Sequence, residues 1–290
     1  MDVLIFSKDR AFQLYSLLET FNKYVKGVNN IFVQFSYSNQ DYLEGYQLIN
    51  NYFDNVTFID ETHYGFNDTL YSILNYEVKS ENILLEVDDV LYFDTLDLND
   101  LENKFNLYNT SKLGISLDPT IFNPEYYNIE NEVLVVDKSL PIDNHIQDMV
   151  LKYPFNASGA IHRVKDLLEI FKYHKIQNPI DLEIKGSTFP TFVNYPYNLY
   201  NTKEVCKQIH TNNTLKRYKE IFSNEFLNNL LLNKEVLNLD IETIKNYPSD
   251  MRWFNGENIG RFPIFPWEIP PTYHSEIINN RKKITKLGYE

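Results

Sequence analysis

Three carboxylates cluster at the end of a short apolar run in the segment NILLEVDDVLYF, residues 82–93: Ile83 to Leu85 predicts a buried strand, and Glu86, Asp88 and Asp89 follow. Adjacent carboxylates repel each other and cost free energy to desolvate, so a bound group should offset that cost. Mg²⁺ and Mn²⁺ prefer oxygen ligands and need few protein carboxylates. In an extended segment Asp88 and Asp89 would point to opposite sides, so that one could bind a metal and the other a ligand. The alternative is that the pair only caps the next turn.

Two further polar clusters follow predicted strands. Apolar patterns predict strands at 3–7, 30–36, 56–60 and 82–89 and helices at 10–25, 41–53 and 66–78. Ser7 to Arg10 follow the first strand, and Asp60 and Glu61 end the third. Alternation of this kind favours a mainly parallel sheet, whose ligands lie beyond the carboxyl ends of the strands. All three polar clusters are therefore expected at one edge of the sheet.

The second half of the chain is less regular. It predicts a helix at 97–108, strands at 112–119 and at 131–139 (the latter in an antiparallel pair or hairpin), an amphipathic helix at 162–175, a turn with a short helix or loop at 178–187, and a strand at 204–210. Helices follow from residue 214, and the stretch 261–274, rich in proline and aromatic residues, cannot be a regular helix. We predict an α/β domain at 1–213 and a helical extension at 214–290 that packs on it.

Composition excludes several classes of function. The 290 residues carry a net charge of -13, which disfavours nucleic-acid binding because that needs clustered Lys and Arg. The single cysteine, Cys206, cannot form an intrachain disulfide. No run of about 18 apolar residues predicts a membrane span, and the start MDVLIFSKDR lacks the pattern of a signal peptide. We expect a location in the cytoplasm of a cell or of a virus-infected host.

Several segments together resemble a known family. These are VLIFSKDRAFQLYSLLETF, HYGFNDTLYSIL, ILLEVDDVLYF, YPFNASGAIHRVKDLLEIF and NPIDLEIKG. In order and spacing they are similar to nucleotide-sugar glycosyltransferases of the GT-A fold, closest to microbial and viral family 2-like enzymes, over residues 1–213. The resemblance implies a Rossmann-like sheet, mainly parallel with an antiparallel part. It also implies transfer of a sugar, with inversion and with Mn²⁺ or Mg²⁺, from a nucleoside diphosphate sugar, with UDP favoured, to a saccharide or glycan acceptor.

The resemblance also gives roles to the first carboxylate cluster. It implies that Asp89 binds the metal and that Asp88 contacts either the metal or a donor hydroxyl. Glu86, on the same face as Asp88, is a weaker candidate. His210 would reach back to the metal or the diphosphate, although a surface histidine before the next helix fits its position equally well.

The other two strand-end clusters would bind the donor. Arg10 could pair with diphosphate oxygens through its planar fork, and Ser7, Lys8 and Asp9 would line the same loop. The alternative for Asp9 is that it caps the helix that begins near Arg10. The resemblance places Asp60, Phe66 and Asn67 beside the nucleotide. Gly65 would permit close backbone approach, whereas His63 fits a satisfied loop histidine better than a ligand.

An inverting transfer needs a general base for the acceptor hydroxyl. Glu183, after the Asn-Pro turn, fits the family pattern best. Asp181 is a second candidate, or the N-cap of the helix that follows, and Asp143 and Asp148 are rivals. The loop YPFNASG, residues 153–159, suits the acceptor or sugar side of a site.

Two other functions remain open from the sequence. A sugar nucleotidyltransferase could use a similar scaffold and carboxylate pair, but the Gly-rich first loop with Lys or Arg that such enzymes carry is missing. A non-catalytic glycan-binding protein would instead use aromatic residues of the extension. Those residues more often attach a terminal segment to the core; they are Trp253, Phe254, Phe262, Phe265 and Trp267.

Overall fold

The computed structural model describes residues 1–116, 122–208, 223–233 and 238–246. The chain has a mixed α/β fold. Its first part contains β1 (Asp2–Lys8), α1 (Ala11–Tyr24), β2 (Val25–Lys26), β3 (Ile31–Ser36), α2 (Gln40–Asn50), β4 (Val56–Asp60), α3 (Phe66–Ser72), a π-helical turn (Ile73–Glu77) and β5 (Asn82–Val87). The predicted alternation of strands and helices in this part is confirmed.

The following part runs through β6 (Val90–Tyr92), β7 (Leu96–Asp97), α4 (Leu98–Asn106), β8 (Thr110–Gly114), a 3₁₀ turn (Pro124–Tyr126), β9 (Asn128–Glu130), β10 (Val133–Asp137) and α5 (His145–Leu151). It continues with β11 (Ala160–Arg163), α6 (Val164–Phe171), α7 (Pro179–Thr188), α8 (Pro190–Val193), β12 (Tyr197–Asn201), β13 (Cys206–Gln208), α9 (Asn224–Leu232) and α10 (Ile241–Asn246).

Within the described residues, one sheet has nine strands in the order β4-β3-β1-β5-β11-β8-β12-β10-β9. Strands β4, β3, β1 and β5 are parallel, as predicted. Strand β11 is antiparallel to both β5 and β8, and β9 and β10 form the predicted antiparallel pair. The mainly parallel sheet with an antiparallel part is therefore confirmed. Smaller pairs join β13 to β6 and β2 to β7.

The sheet buries side chains on both faces, as a parallel sheet covered by helices requires. Along β1, Val3 and Ile5 pack in one core cluster, and Leu4 and Phe6 pack in another. The first cluster includes residues of α1, α2, α4 and α9, and the second includes residues of α3, α6 and α7. This packing fixes the strand ends between two helical layers.

Helix α9 belongs to the predicted extension and contacts the first domain. Leu227 and Leu230 join the core cluster of α1, and Asn228 Nδ2 donates a hydrogen bond to the backbone oxygen of Asp41 at 2.8 Å. The division at residue 213 stays a prediction. None of the helices in the described ranges is long and apolar enough to cross a bilayer.

Two predicted elements need correction. The helix predicted at 162–175 begins at Val164, because Ala160–Arg163 form β11 and pair with β5 and β8. The strand predicted at 112–119 lies at Thr110–Gly114. Its residues 117–119, together with the stretches 214–222 and 261–274 of the extension, lie outside the described residues.

Candidate functional site

Asp88 and Asp89 form the turn between β5 and β6, at the carboxyl end of the parallel strands. Both side chains are buried, and Arg10 Nη1 donates a hydrogen bond to Asp88 Oδ1 and another to Asp89 Oδ2, each at 3.1 Å. The prediction that the two carboxylates point to opposite sides is therefore wrong, because the residues lie in a turn and not in an extended strand. One guanidinium nitrogen donates to both carboxylates, so a single positive charge is shared between two negative ones.

The electrostatics of this triad are those of a buried ion cluster. Burial alone would lower the pKa of Arg10, but the charges of Asp88 and Asp89 outweigh it and raise that pKa. Burial raises the pKa of Asp88, while Arg10 lowers it and the charge of Asp89 raises it. The pair is thus stabilised by a cation and would be strongly destabilised without one.

Ser7 and Tyr46 extend the network behind Asp88. Ser7 Oγ donates to Asp88 Oδ2 at 2.8 Å and lies 2.7 Å from Tyr46 Oη. Because Ser7 has a single hydroxyl proton, Tyr46 must donate to Ser7, and Tyr46 Oη accepts the backbone N–H of Arg10 at 3.1 Å. The network closes from Arg10 through Tyr46 and Ser7 to Asp88. Tyr46 was missed from the sequence, where it looks like an ordinary apolar position of a helix.

Gln208 reaches the pair from a distant part of the chain. Strand β13 pairs with β6, and Gln208 Nε2 donates to Asp89 Oδ1 at 3.0 Å. The predicted strand near 204–210 therefore does lead to the carboxylates. The predicted metal ligand His210 lies outside the described residues, and Gln208 was not predicted.

The other two residues of the first loop, Lys8 and Asp9, have different surroundings. Lys8 is exposed at the end of β1. Asp9 adopts a left-handed backbone with φ of 56°, and its carboxylate accepts the backbone N–H and the hydroxyl of Ser38, each at 2.6 Å. The alternative that Asp9 caps α1 is wrong, because Arg10 is the N-cap residue and no side chain caps there.

The predicted donor residues after β4 take part in the fold. Asp60 Oδ1 accepts the backbone N–H of Thr62 at 2.7 Å. Phe66 is buried, with its ring centroid 5.4 Å from that of Phe6. Asn67 Oδ1 accepts the backbone N–H of Ile176 at 2.8 Å. Donor binding by these three residues stays a prediction.

Gly65 precedes α3 with φ of 80°, a conformation that favours glycine. A Cβ atom there would meet no atom within 4 Å. Its role in the protein is therefore conformational, and the space beside it is open.

Glu183 lies on α7, and its Oε2 accepts the backbone N–H of Ala157 at 3.0 Å. Burial raises its pKa, while this hydrogen bond and the charge of Lys112 lower it. Such a carboxylate accepts a proton more readily than an exposed glutamate does.

The rivals of Glu183 are engaged elsewhere. Asp181 Oδ2 accepts Lys185 Nζ at 2.7 Å and the backbone N–H of Gln177 at 2.8 Å. Asp181 is not the N-cap of α7, because Asn178 holds that position and accepts the backbone N–H of Asp181 at 2.9 Å.

The other two rivals have surface positions. Asp143 is exposed. Asp148 pairs with Lys152 one turn later on the surface.

The loop 153–159 connects the two halves of the candidate site. Gly159 N donates to Glu86 Oε2 at 3.1 Å, while Ala157 N donates to Glu183. Glu86 is completely buried, and its Oε1 accepts Tyr92 Oη at 2.5 Å. Burial raises its pKa to about 7. The loop therefore joins β5, which leads into the turn of Asp88, to α7, which carries Glu183.

The donor set fits a hard divalent cation in type. Asp88 and Asp89 offer neighbouring carboxylate oxygens, and Mg²⁺ is usually bound by one or two carboxylates together with substrate phosphates. Across the ranges that the structure describes, no group of three or more His, Cys, Asp and Glu residues is arranged to hold a metal. A cation here would therefore need ligands from elsewhere, and a diphosphate can supply them.

The sequence is similar to a glycosyltransferase. It is 28% identical over 226 residues to the bifunctional glycosyltransferase pgtA of Dictyostelium discoideum, a match that covers 74% of this chain and 25% of that relative. The chain thus spans about a quarter of the length of that protein. No protein-family model matches the sequence. The resemblance to glycosyltransferases that the motifs indicated is confirmed.

Solved structures show partial likeness. One is S. aureus TarS residues 1–349 in complex with UDP, with a TM-score of 0.47, 13% identity, and coverage of 71% of this chain and 58% of that one. Another is HddC from Yersinia pseudotuberculosis, with a TM-score of 0.42, 16% identity, and coverage of 71% and 92%.

Proposed function

We propose that this chain is a metal-dependent, inverting glycosyltransferase that moves a sugar from a UDP-sugar to a saccharide or glycan acceptor. The observation that carries the proposal is the buried cluster of Asp88, Asp89 and Arg10 at the carboxyl end of four parallel strands, where ligands of such sheets bind. The similarity to pgtA supports the reaction class. The choice of UDP rests on the family resemblance.

The donor side of the reaction would use the carboxylate pair. Asp88 and Asp89 would hold Mn²⁺ or Mg²⁺, which when bound stabilises the negative charge that develops on the departing diphosphate. Arg10 lies against both carboxylates and would pair with diphosphate oxygens through its fork. Tyr46 and Ser7 would keep Asp88 and the backbone of Arg10 in place.

The acceptor side would use Glu183. Its Oε2 is held by Ala157 N, so Oε1 would receive the proton of the acceptor hydroxyl. The base must be ionised before the reaction, and a pKa raised by burial makes it a stronger base than an exposed glutamate. The proton that the acceptor loses would stay on this carboxyl until product leaves.

The first test is calorimetric titration of the purified protein with UDP, GDP and CDP, each with and without Mn²⁺. We expect UDP to bind tightly only with Mn²⁺, and Asp89→Asn to remove the effect of the metal. Asp54→Asn, which changes an exposed aspartate before β4, is the matched control and should bind as the wild type does.

Each result decides something specific. Equal UDP binding with and without Mn²⁺ would reject the metal, and tighter binding of another nucleotide would reject UDP. No nucleotide binding under any condition would reject the function. Turnover is then measured as UDP release from UDP-sugars. Glu183→Gln should bind UDP normally and lose transfer, and retained transfer would move the base elsewhere.

A further inference from the structure

Lys112 on β8 carries an ammonium group inside the protein, with 1% of the residue exposed. Its Nζ donates a hydrogen bond to Asn156 Oδ1 and lies 5.0 Å from the ring centroid of Tyr200 and 5.9 Å from that of Tyr153. Aromatic faces attract a cation but do not neutralise it. A buried cation without a neutralising partner is strongly unfavourable.

The negative charge that acts on Lys112 is that of Glu183. The hydrogen bond of Lys112 goes to the uncharged Asn156, and Glu183 is the acidic group whose charge opposes the effect of burial on the pKa of Lys112. The influence is mutual, since Lys112 favours the ionised form of Glu183. The two groups therefore form a separated charge pair, in which Lys112 is buried and Glu183 is half-buried.

The same lysine holds the loop that positions Glu183. Asn156 is fixed at its side chain by Lys112 and at its backbone oxygen by His162 Nε2, at 2.8 Å. The next residue, Ala157, donates its N–H to Glu183 Oε2. Lys112 is thus connected to Glu183 both through its charge and through two residues of one loop.

We propose that Lys112 is a positioning residue that keeps Glu183 ionised and aimed at the acceptor hydroxyl. This rests on the proposed function, in which Glu183 is the general base. Lys112 is buried and hydrogen-bonded to the loop, so it need not touch substrate. Its removal should change how the reaction depends on pH more than it changes donor binding.

Several other titratable groups face this pair, and none replaces Lys112. Burial lowers the pKa of Lys112 to about 7 and that of His162 to about 4, so His162 is neutral near pH 7. Lys138, whose pKa burial lowers to about 8, acts on Lys112 and disfavours its charge. Arg163 acts on His162. Tyr153 and Tyr200 have pKa values raised by burial and stay neutral.

The first experiment compares pH profiles of kcat for transfer. Lys112→Met should move the acid limb to higher pH by about one unit, because loss of a nearby positive charge raises the pKa of a carboxyl group. The KM for the UDP-sugar should stay within about twofold. The control is Asn156→Ala, which keeps the charge of Lys112 and removes its hydrogen bond to the loop. It should lower kcat without moving the limb.

A second experiment requires no turnover. Urea unfolding of the wild type, Lys112→Met, Glu183→Gln and the double variant gives the coupling between the two side chains. At pH 6 the coupling should change the unfolding equilibrium constant by about fivefold or more. At pH 9, where Lys112 has lost its proton, the coupling should vanish.

The two experiments separate this proposal from the proposed function. An unmoved acid limb, or a coupling that is absent at pH 6 or equal at both pH values, would overturn the role of Lys112 while transfer itself stands. If the protein neither binds nucleotide nor transfers sugar, the proposed glycosyltransferase function is rejected. A pH-dependent coupling between Lys112 and Glu183 in that protein would still support the charge pair.

Discussion

Whether a positive charge between Asp88 and Asp89 stabilises the fold, and whether a metal can supply it, can be tested by replacing Arg10 with methionine. Arg10 has 7% of its surface exposed, and one of its nitrogens binds both carboxylates at 3.1 Å. Removing one partner of a buried ion pair costs about 3–5 kcal/mol, because an uncompensated charge stays behind. Here two adjacent carboxylates would remain. We expect metal-free Arg10→Met to lose about 3–5 kcal/mol of unfolding free energy.

The assay is urea unfolding with UDP present throughout, in chelator and in excess Mn²⁺, because a metal at Asp88 and Asp89 would need further ligands from a diphosphate. If the metal binds between the carboxylates, it should replace the missing positive charge. A ligand at a hundred times its Kd stabilises the folded state by about 2.7 kcal/mol. Mn²⁺ should therefore restore a large part of the unfolding free energy that Arg10→Met loses. It should stabilise the wild type less, because Arg10 competes with the metal for the two carboxylates. Arg10→Lys, which keeps a charge, should lose less stability and respond to Mn²⁺ like the wild type.

Two outcomes would refute this reasoning. Unfolding free energies of Arg10→Met and wild type that agree within about 0.5 kcal/mol in chelator would mean that Arg10 does not neutralise the pair. A deficit that is the same with and without Mn²⁺ would mean that no metal binds between Asp88 and Asp89. In the second case the ion cluster of Arg10, Asp88 and Asp89 would be kept and the proposed metal site would be rejected.

Three further results are expected. The pKa of Lys112 in the folded protein is about 7, below its ordinary value of 10.5, so the unfolded chain binds more protons between these two pH values. The free energy of unfolding should therefore rise as the pH rises from about 7 to about 10.5. In urea unfolding, Lys112→Met should remove a few kcal/mol of that rise, since one pKa unit corresponds to about 1.4 kcal/mol. Gly159→Ala should destabilise more than Gly65→Ala in thermal melts, because both have positive φ but only the Cβ at residue 159 would lie 2.6 Å from Ser116 Oγ. Asn178→Ala should cost about 1 kcal/mol in urea unfolding through loss of the N-cap of α7, and an unchanged value would contradict the cap.

The parallel half of the sheet was predictable because its signals are local. Each strand is a short apolar run between helices of amphipathic period, and polar residues mark the strand ends. The positions of Ser7, Arg10 and Asp88 at one edge follow from that pattern. The hydrogen bonds among these residues do not follow from it, because they depend on a turn at Asp88–Asp89. That turn is not apparent in the sequence, since apolar residues lie on both sides of it.

Contacts between distant residues could not be predicted from local patterns. Gln208 reaches Asp89 across 119 positions, and Tyr46 reaches Ser7 across 39. The amphipathic pattern predicts a helix from His162, although His162 and Arg163 end β11. Pairing with β5 and β8 overrides that local preference.

Glu86 shows why burial and bonding decide among neighbouring carboxylates. It shares a strand face with Asp88 in the sequence pattern, which made it a candidate ligand. Both of its oxygens are taken by the fold, one by Tyr92 Oη and one by Gly159 N. Those bonds fasten the loop 153–159 to the strand that ends at Asp88, and the same loop is fastened to Glu183 two residues earlier. Glu86 therefore serves the spacing between the proposed donor and acceptor sides. The oxygens of Asp88 and Asp89 also accept hydrogen bonds, but two of these come from the charged Arg10, whose place a metal cation could take.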